Sequence, residues 1–274
     1  MTARDFLYEK LKSESEEYFG NHDKMYLSSV CNAWMDDEFN SAIRYDEMTK
    51  VIGSEIRSHK ILDMASGCGS FVFYGLMNGY NVYGIEPEKW KHEFNGLKAR
   101  EYDYPKAWMN RFSYGIGEAL PFDDQTFDVI STYQTLEHVQ SHEDCFGEFK
   151  RVLKKGGYLF IRCPDYSSFF EGHYRVPMLP LMNRNLFRKY LKLLKRPTKG
   201  LDTINYTYKK KIYNLLGDDY QIHNLETSQI KEKLRSKTNI DSELLANAYL
   251  LYSRIKNIFR SESSISFSAK KLVE

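Results

Sequence analysis

Cysteine is sparse in this chain: four residues in 274, at positions 31, 68, 145 and 163, with no C-x-x-C pair among them. That spacing argues against a zinc knuckle or a disulfide framework and suits a reducing, cytoplasmic setting. No apolar run approaches the length of a membrane span. The N-terminal stretch MTARDFLYEKLKSESEEYF lacks an apolar core, so a secretory signal is not expected. Repeats and low-complexity tracts are missing, and nothing suggests a solenoid. Excess charge is missing too: the formal net charge is +2, so bulk electrostatics names no partner. What remains is a soluble chain of ordinary composition, 42% hydrophobic and 28% charged, long enough for a sizeable core.

Against that background the hydrophobic pattern carries the organisation. Phe6, Leu7, Leu11, Tyr18 and Phe19 among charges predict an amphipathic helix over 3–19, and a second helix is expected over about 40–57. KILDMASG then reads as a short strand running into a glycine turn, FVFYGLMNG as a helix closed by Gly79, and NVYGIEP as a second strand. A weak third strand is expected near 111–117. FDVISTY is a fourth, SHEDCFGEFKRVLKKGG a helix with a glycine stop, and YLFIRCP a fifth. Strands alternating with helices imply right-handed βαβ units and a mainly parallel sheet. Ligands of such sheets sit beyond the carboxyl ends of the strands. The rhythm breaks over 166–205 with Pro177, Pro180 and Pro197, clustered aromatics and many basic residues. It resumes with a helix near 206–216, a strand YQIHN, helices through about 227–260 and a last strand SISFSAKK. Four regions are expected: a helical cap over 1–57, a cofactor-binding core over 58–165, an insertion forming an acceptor wall over 166–205, and the rest of the sheet over 206–274.

The sharpest local signal is Asp63-Met-Ala-Ser-Gly67-Cys-Gly69 at the end of the first strand. The glycines permit a tight turn and close backbone approach to a ligand. A dinucleotide site would want a third glycine, but position 72 is valine. Asp63 would repel a pyrophosphate and accept from a ligand ammonium instead. Glu86, at the end of the second strand and 17 residues after Gly69, is placed to accept both hydroxyls of a ribose. A nucleoside without a diphosphate, carrying an ammonium group, describes S-adenosylmethionine.

With these residues in view, the stretch 61–163 resembles the class I methyltransferases. It is most similar to the large group whose middle reads G-x-A-x-x-L-P-F, then F-D, then L-E-H. Here that stretch is GIGEALPFDDQTFDVISTYQTLEHV, followed by EFKRVLKKGGYLFI. The resemblance implies a Rossmann-like α/β fold with a mixed, mainly parallel, seven-stranded sheet. It implies that Asp63 and the loop Ala65, Ser66, Gly67 and Gly69 hold the methionine part. Glu86 and the adjoining Pro87 would hold the ribose. Glu118 would meet the adenine amine and the Ala119 N–H a ring nitrogen, while Tyr133 and Gln134 would flank the reactive end. In the similar quinone O-methyltransferases an arginine near the place of Arg44 pairs with the cofactor carboxylate.

The chemistry needs an in-line donor and acceptor and, for an alcohol, a proton acceptor. Glu137 and His138 follow the fourth strand and are candidates; Glu137 alone does not make a metal site, and no metal is expected. His173 is the preferred general base, in the cluster Asp165, Tyr166, Glu171, His173, Tyr174 and Arg175, of which Tyr166, Glu171, Tyr174 and Arg175 are expected to contact the acceptor. The bland alternative is a loop histidine that stiffens the insertion. From Arg184 to Lys211 ten lysines and arginines alternate with leucines and aromatics, which reads as a basic amphipathic helix. It could dock on an anionic inner membrane face, hold an anionic acceptor or RNA, or simply pack its apolar side on the core.

The segment EGHYR-V-P-M-L-P with the basic stretch behind it looks like methyltransferases encoded with bacterial surface-polysaccharide genes. The expected activity is therefore O-methylation of a sugar, glycan or related small polar acceptor. A quinone-type or RNA methyltransferase is the alternative, although no RNA-binding module is present and nucleic acid is not an expected partner. A non-enzymatic module that kept its cofactor pocket is the contrasting class.

Overall fold

The computed structural model describes residues 1–20, 23–225, 247–248, 251 and 264–273. Its centre is a seven-stranded sheet in the order β3-β2-β1-β4-β5-β9-β8. The strands are β1 (Lys60–Met64), β2 (Asn81–Glu86), β3 (Phe112–Tyr114), β4 (Phe127–Tyr133), β5 (Leu153–Pro164), β8 (Tyr220–Asn224) and β9 (Ser264–Lys271). The first five are parallel; β9 runs antiparallel to both β5 and β8. A short hairpin of β6 (Phe170–Glu171) and β7 (Val176–Pro177) stands apart. The expected α/β fold and its mixed, mainly parallel sheet are thus observed, and every strand read from the sequence is present. The helices expected over 227–260 lie outside the described residues.

Both faces of the sheet are covered, and the strand sequences show why. Neighbouring residues alternate between two apolar layers: Leu62, Ile130, Leu159 and Phe267 lie in one. Ile61, Val129, Phe160 and Val82 lie in the other. Strands buried on both faces read as near-continuous apolar runs, which these do. Helix α4 (Ser70–Met77) follows β1, α5 (Lys89–Glu101) follows β2, and α6 (His142–Val152) precedes β5. The order reverses between β1 and β4, so the crevice that a doubly wound sheet offers to ligands opens at their carboxyl ends.

Several boundaries differ from the sequence reading. The first helix stops at Glu14 (α1, Ala3–Glu14) and widens into a π turn over Ser15–Phe19. Helix α2 (Lys24–Met35) was not foreseen. The second expected helix ends at Ile52 (α3, Ser41–Ile52), because Gly53 takes φ +93° before a short 3-10 turn. The glycine pair does not stop α6: the helix ends at Val152, and Lys154 through Gly157 already belong to β5 beside a register shift against β4.

The basic segment 184–211 is not one helix. It divides into α7 (Arg184–Leu193), a 3-10 turn over Lys199–Thr203, and the start of α8 (Lys209–Leu216). Lys195 in the left-handed region and Pro197 after it end α7. Phe187 and Leu191 of α7 are buried with Tyr166, Tyr174, Val176, Met178, Leu201 and Ile204, a small apolar core of its own. The π turn packs on this unit: a Cβ on Gly200 would fall 2.5 Å from the Phe19 ring and the Tyr18 carbonyl oxygen. The two segments meet so closely only because residue 200 is glycine.

Candidate functional site

The glycine loop after β1 is held from β2. The Gly67 N–H donates to Glu86 Oε2 at 2.9 Å, and the Asn95 amide on α5 donates to the Gly67 carbonyl at 3.2 Å. Ala65 and Gly67 both adopt positive φ, +58° and +53°. A Cβ on Gly67 would meet nothing within 4 Å, so the loop faces open space there. A Cβ on Gly69 would strike the Asn95 amide oxygen and the Phe73 ring at 2.9 Å. The first glycine therefore keeps the cleft clear, and the second lets α4 start against α5.

Asp63 and Glu86 end their strands almost wholly buried. Asp63 is ion-paired with Arg44 of α3, whose guanidinium also donates to Ser131 Oγ at 2.6 Å. The guanidinium lies 3.7 Å from the Phe71 ring centroid and 5.1 Å from that of Tyr133. Burial raises the Asp63 carboxyl above its ordinary value, with the Arg44 charge opposing it. The sequence placed Arg44 against the cofactor carboxylate; here it is a strut across the ends of β1 and β4. Glu86 Oε1 accepts from the Glu88 N–H at 3.2 Å and lies 3.4 Å from the Lys91 ammonium. Lys91 is pushed up by Glu86 and Glu88 against the cost of its own burial. Pro87, next in the chain, is exposed.

Further along the sheet edge, Glu118 Oε1 accepts from the Gln140 N–H at 2.6 Å, which ties the loop after β3 to the loop after β4. The Ala119 N–H, expected to meet a ring nitrogen, donates to the Ile116 carbonyl at 3.3 Å. Gln134 turns the chain at φ +53° immediately after β4, beside Tyr133. Two exposed side chains near the end of β3, Tyr114 and Ile116, were missed by the sequence reading. Tyr114 stacks on His92 with ring centroids 3.8 Å apart, and His92 Nε2 lies 2.8 Å from the Glu86 carbonyl oxygen. This flat, partly apolar shelf stands next to Glu86.

At the other side of the crevice two histidines meet. His138 sits in a 3-10 turn after β4 (Leu136–His138), and His173 in the β6–β7 hairpin. Their Nε2 atoms are 3.2 Å apart. His173 Nδ1 lies 2.8 Å from Glu171 Oε1, and His138 Nδ1 3.2 Å from the Thr203 carbonyl oxygen. Glu171 is fully buried and also accepts from the Tyr174 N–H at 2.6 Å. Burial alone would raise its carboxyl, but the hydrogen bonds and charge of His173 hold it below the usual range. His138 is pushed down to about 4 by desolvation and then by the facing His173. Lys91, which lies 3.4 Å from Glu86, also lowers His138 slightly by its charge.

Glu137 is buried beneath, with ligand atoms of Glu137, His138 and His173 all within 4.8 Å of one another. Tyr166 and Tyr174 are buried in the apolar core behind His173; Arg175 reaches the surface and stacks on Tyr26 at 4.7 Å. Phe19, from the π turn, covers one face of His173 with centroids 5.3 Å apart. Nothing local in the sequence signals that contact, which joins residues far apart in the chain.

Residues 62–161 match the family model described as a methyltransferase domain. An uncharacterized methyltransferase of Schizosaccharomyces pombe is 28% identical over 162 residues, covering 57% of this chain and 55% of the relative. An O-methyltransferase of Aspergillus nomiae is 26% identical over 162 residues, covering 54% and 71%. A demethylmenaquinone methyltransferase of Chlorobaculum parvum is 26% identical over 196 residues, covering 70% and 72%. The chain thus spans little more than half the length of the first of these relatives. Among solved structures, a putative sarcosine dimethylglycine methyltransferase from Galdieria sulphuraria superposes with a TM-score of 0.52 at 16% identity, covering 98% of both chains. A geranyl diphosphate methyltransferase in complex with its cofactor gives 0.51 at 15%, covering 86% of each. The family resemblance read from the sequence is borne out.

Proposed function

We propose, from the premise that residues 62–161 are a class I S-adenosylmethionine-dependent methyltransferase domain, that the protein methylates a hydroxyl oxygen of a small polar acceptor. The observation that carries this reading is the histidine pair at the acceptor side of the crevice, with the Nδ1 of His173 anchored on the buried Glu171.

The residues fit the cofactor. Gly67 leaves an open cradle where a Cβ would stand, the Glu86 carboxylate has acceptor capacity beyond its N–H contacts for a ribose diol, and Tyr114 with Ile116 supplies a shelf for a base. Asp63, Ala65, Ser66, Gly67 and Gly69 then lie along the methionine part, Glu86 and Pro87 along the ribose, Glu118 and Ala119 near the base, and Tyr133 and Gln134 beside the methyl group. Arg44 supports this set by holding Asp63 to Ser131. When bound, the cofactor supplies an electrophilic methyl group on a positively charged sulfur.

The chain's own residues position the acceptor and handle its proton. A carboxylate can only accept, so the Glu171 contact puts a proton on His173 Nδ1 and leaves a lone pair on Nε2. The simplest use of that lone pair is to take the hydroxyl proton. The oxygen's electron pair then forms the new O–C bond, while the pair of the breaking S–C bond stays on sulfur. Glu137 and His138 complete the polar wall, and Phe19 excludes water from one side of the imidazole.

A sugar or glycan hydroxyl is the acceptor class this reading favours, supported by the likeness of the hairpin and basic segment to surface-polysaccharide methyltransferases. S-adenosylhomocysteine release with a panel of nucleotide sugars, glycans, quinols and RNA is the test. Turnover confined to quinols or RNA would overturn the favoured class. Glu86→Ala should weaken binding of S-adenosylmethionine by about 1.5–3 kcal/mol for each charged hydrogen bond lost. Calorimetry reads this, and unchanged affinity would mean that the ribose lies elsewhere.

One observation favours contact with an anionic membrane. On α7, Leu186, Lys189 and Leu193 share one exposed face, and Lys192, Leu194 and Lys195 adjoin it. No helix among the described residues is long and apolar enough to cross a membrane. Flotation with anionic liposomes should therefore exceed that with neutral ones and fall with salt, at about 1 kcal/mol for each lysine near the surface. Equal flotation with both would leave α7 as a packed, solvated helix.

A further inference from the structure

We propose that Glu137, His138 and His173 form a binding site for one divalent transition-metal ion of the zinc or manganese kind. The proposal rests on the acceptor reading above for what the ion does, but not for where it binds.

Hydrogen-bond roles carry the case. His173 Nδ1 faces a carboxylate and His138 Nδ1 faces a backbone carbonyl. Both partners are acceptors, so in the neutral rings both Nδ1 atoms carry the proton. Both Nε2 atoms then carry lone pairs, and they point at each other across 3.2 Å. Two lone pairs at that distance repel. A cation between and slightly above them would satisfy both. Imidazole nitrogens bind zinc at about 2.0–2.1 Å, which places two of them about 3.3–3.4 Å apart around a tetrahedral ion. The separation is already close to that value before any ion is considered.

The outer contacts are those a metal-binding histidine needs. Such a ring donates its other N–H to a carboxylate or a carbonyl, which sets the tautomer and the aim of the ring. Here Glu171 does this for His173 and Thr203 for His138. Glu171 is itself fixed by the Tyr174 N–H at 2.6 Å, inside a core that includes Tyr166 and Tyr174. Glu137 supplies the anionic third ligand from the residue next to His138. Its oxygen lies within 4.8 Å of the two nitrogens. Two imidazoles and one carboxylate favour a transition metal over magnesium or calcium, which prefer oxygen. Three protein ligands leave a fourth position open, as catalytic sites do.

In the acceptor reading above, the fourth position would take the acceptor hydroxyl. An ion there makes the hydroxyl more acidic and orients its oxygen. The His173 lone pair is then used on the ion, and the hydroxyl proton leaves to water. The rest of the transfer balances as before: the oxygen pair makes the O–C bond and the sulfur keeps the S–C pair. Glu137 and His138 alone made no such site in the sequence; the second histidine ligand comes from a hairpin 35 residues beyond His138.

The full-length chain, stripped with a chelator, is titrated with Co²⁺ and then Zn²⁺, with visible absorption and metal analysis as readouts. About one Co²⁺ per chain with ligand-field bands, displaced by Zn²⁺, is expected. His138→Ala and His173→Ala should each abolish the bands, and Glu171→Gln, which reaches the ion through His173, should weaken binding about tenfold to a hundredfold. S-adenosylmethionine binding by each variant checks that it is folded. No uptake by a chain that binds S-adenosylmethionine, or uptake indifferent to both histidine changes, overturns the metal site. Turnover that needs His173 but ignores the chelator also overturns it and leaves the general-base reading standing. Histidine-dependent uptake without turnover on any hydroxyl acceptor supports the site and fails the acceptor reading instead.

Discussion

Replacing His173 with alanine should lower turnover by about a hundredfold to ten-thousandfold, the usual cost of losing a group that handles the proton. The affinity for S-adenosylmethionine should stay near that of the parent protein. The two readouts separate because the two halves of the cleft are built separately. The cofactor side rests on Asp63, the glycine loop and Glu86, which are tied to Arg44, Ser131 and Asn95. His173 belongs to the β6–β7 hairpin and its own small core. Its side chain is 21% exposed, so the space that its loss leaves is open to solvent. Steady-state assays on the true acceptor, with calorimetry for the cofactor, read both. Near-parental turnover would remove His173 from the chemistry. A parallel loss of cofactor affinity would mean that the hairpin supports the glycine loop instead. Glu171→Gln should fall between: the amide can still contact Nδ1, but it loses the charge and can present its N–H side to the ring.

The parts of this molecule that were legible in the sequence are those with short-range signatures. Strands β1, β2 and β4 announce themselves as apolar runs, and Gly67 and Gly69 mark a turn that only small residues allow. The spacing from Gly69 to Glu86 already places two carboxylates at adjacent strand ends, which the parallel pairing of Asp63 with Gly84 supports. What was not legible depends on contacts between distant segments. No periodicity shows that Phe19 stacks on His173, or that Arg44 spans from Asp63 to Ser131. The basic stretch misled for a related reason. Its composition is helical throughout, but Lys195 at positive φ and Pro197 break it, and the turn at Lys199–Thr203 is set by packing on the N-terminal π turn. The composition of Leu153 through Lys155 reads as helix and the glycine pair as its stop, whereas pairing with the fourth strand draws all of them into the sheet.

Lys98→Met should destabilise the fold by about 3–5 kcal/mol, the cost of leaving one charge of a buried pair without its partner. Lys98 on α5 is wholly buried and ion-paired with Asp37, itself buried in the turn after α2. Its ammonium also donates to the Trp34 carbonyl at 3.2 Å, while Tyr104 donates to the other Asp37 oxygen at 2.6 Å. Ser70, the first residue of α4, donates to the same Trp34 carbonyl at 3.1 Å. The pair therefore fastens the N-terminal helices to the start of the helix that follows the glycine loop. Burial already raises the Asp37 carboxyl, with the Lys98 charge and hydrogen bond opposing. Without Lys98 the carboxyl should rise further, so the folded variant binds a proton more readily than the unfolded chain. Stability so gained is complete below the unfolded value of about 3.9 and is lost as pH climbs through the folded value. The deficit of Lys98→Met against the parent should thus be smaller at pH 5 than at pH 8. Adding Asp37→Asn should recover most of it at pH 8, since the amide removes the stranded charge and still accepts from Tyr104. Denaturant melts of the parent, the single and the double variant at both pH values decide the matter. A loss under about 1 kcal/mol, or a double variant no better than the single, would show that this buried pair is not what holds the N-terminal helices to the cofactor loop.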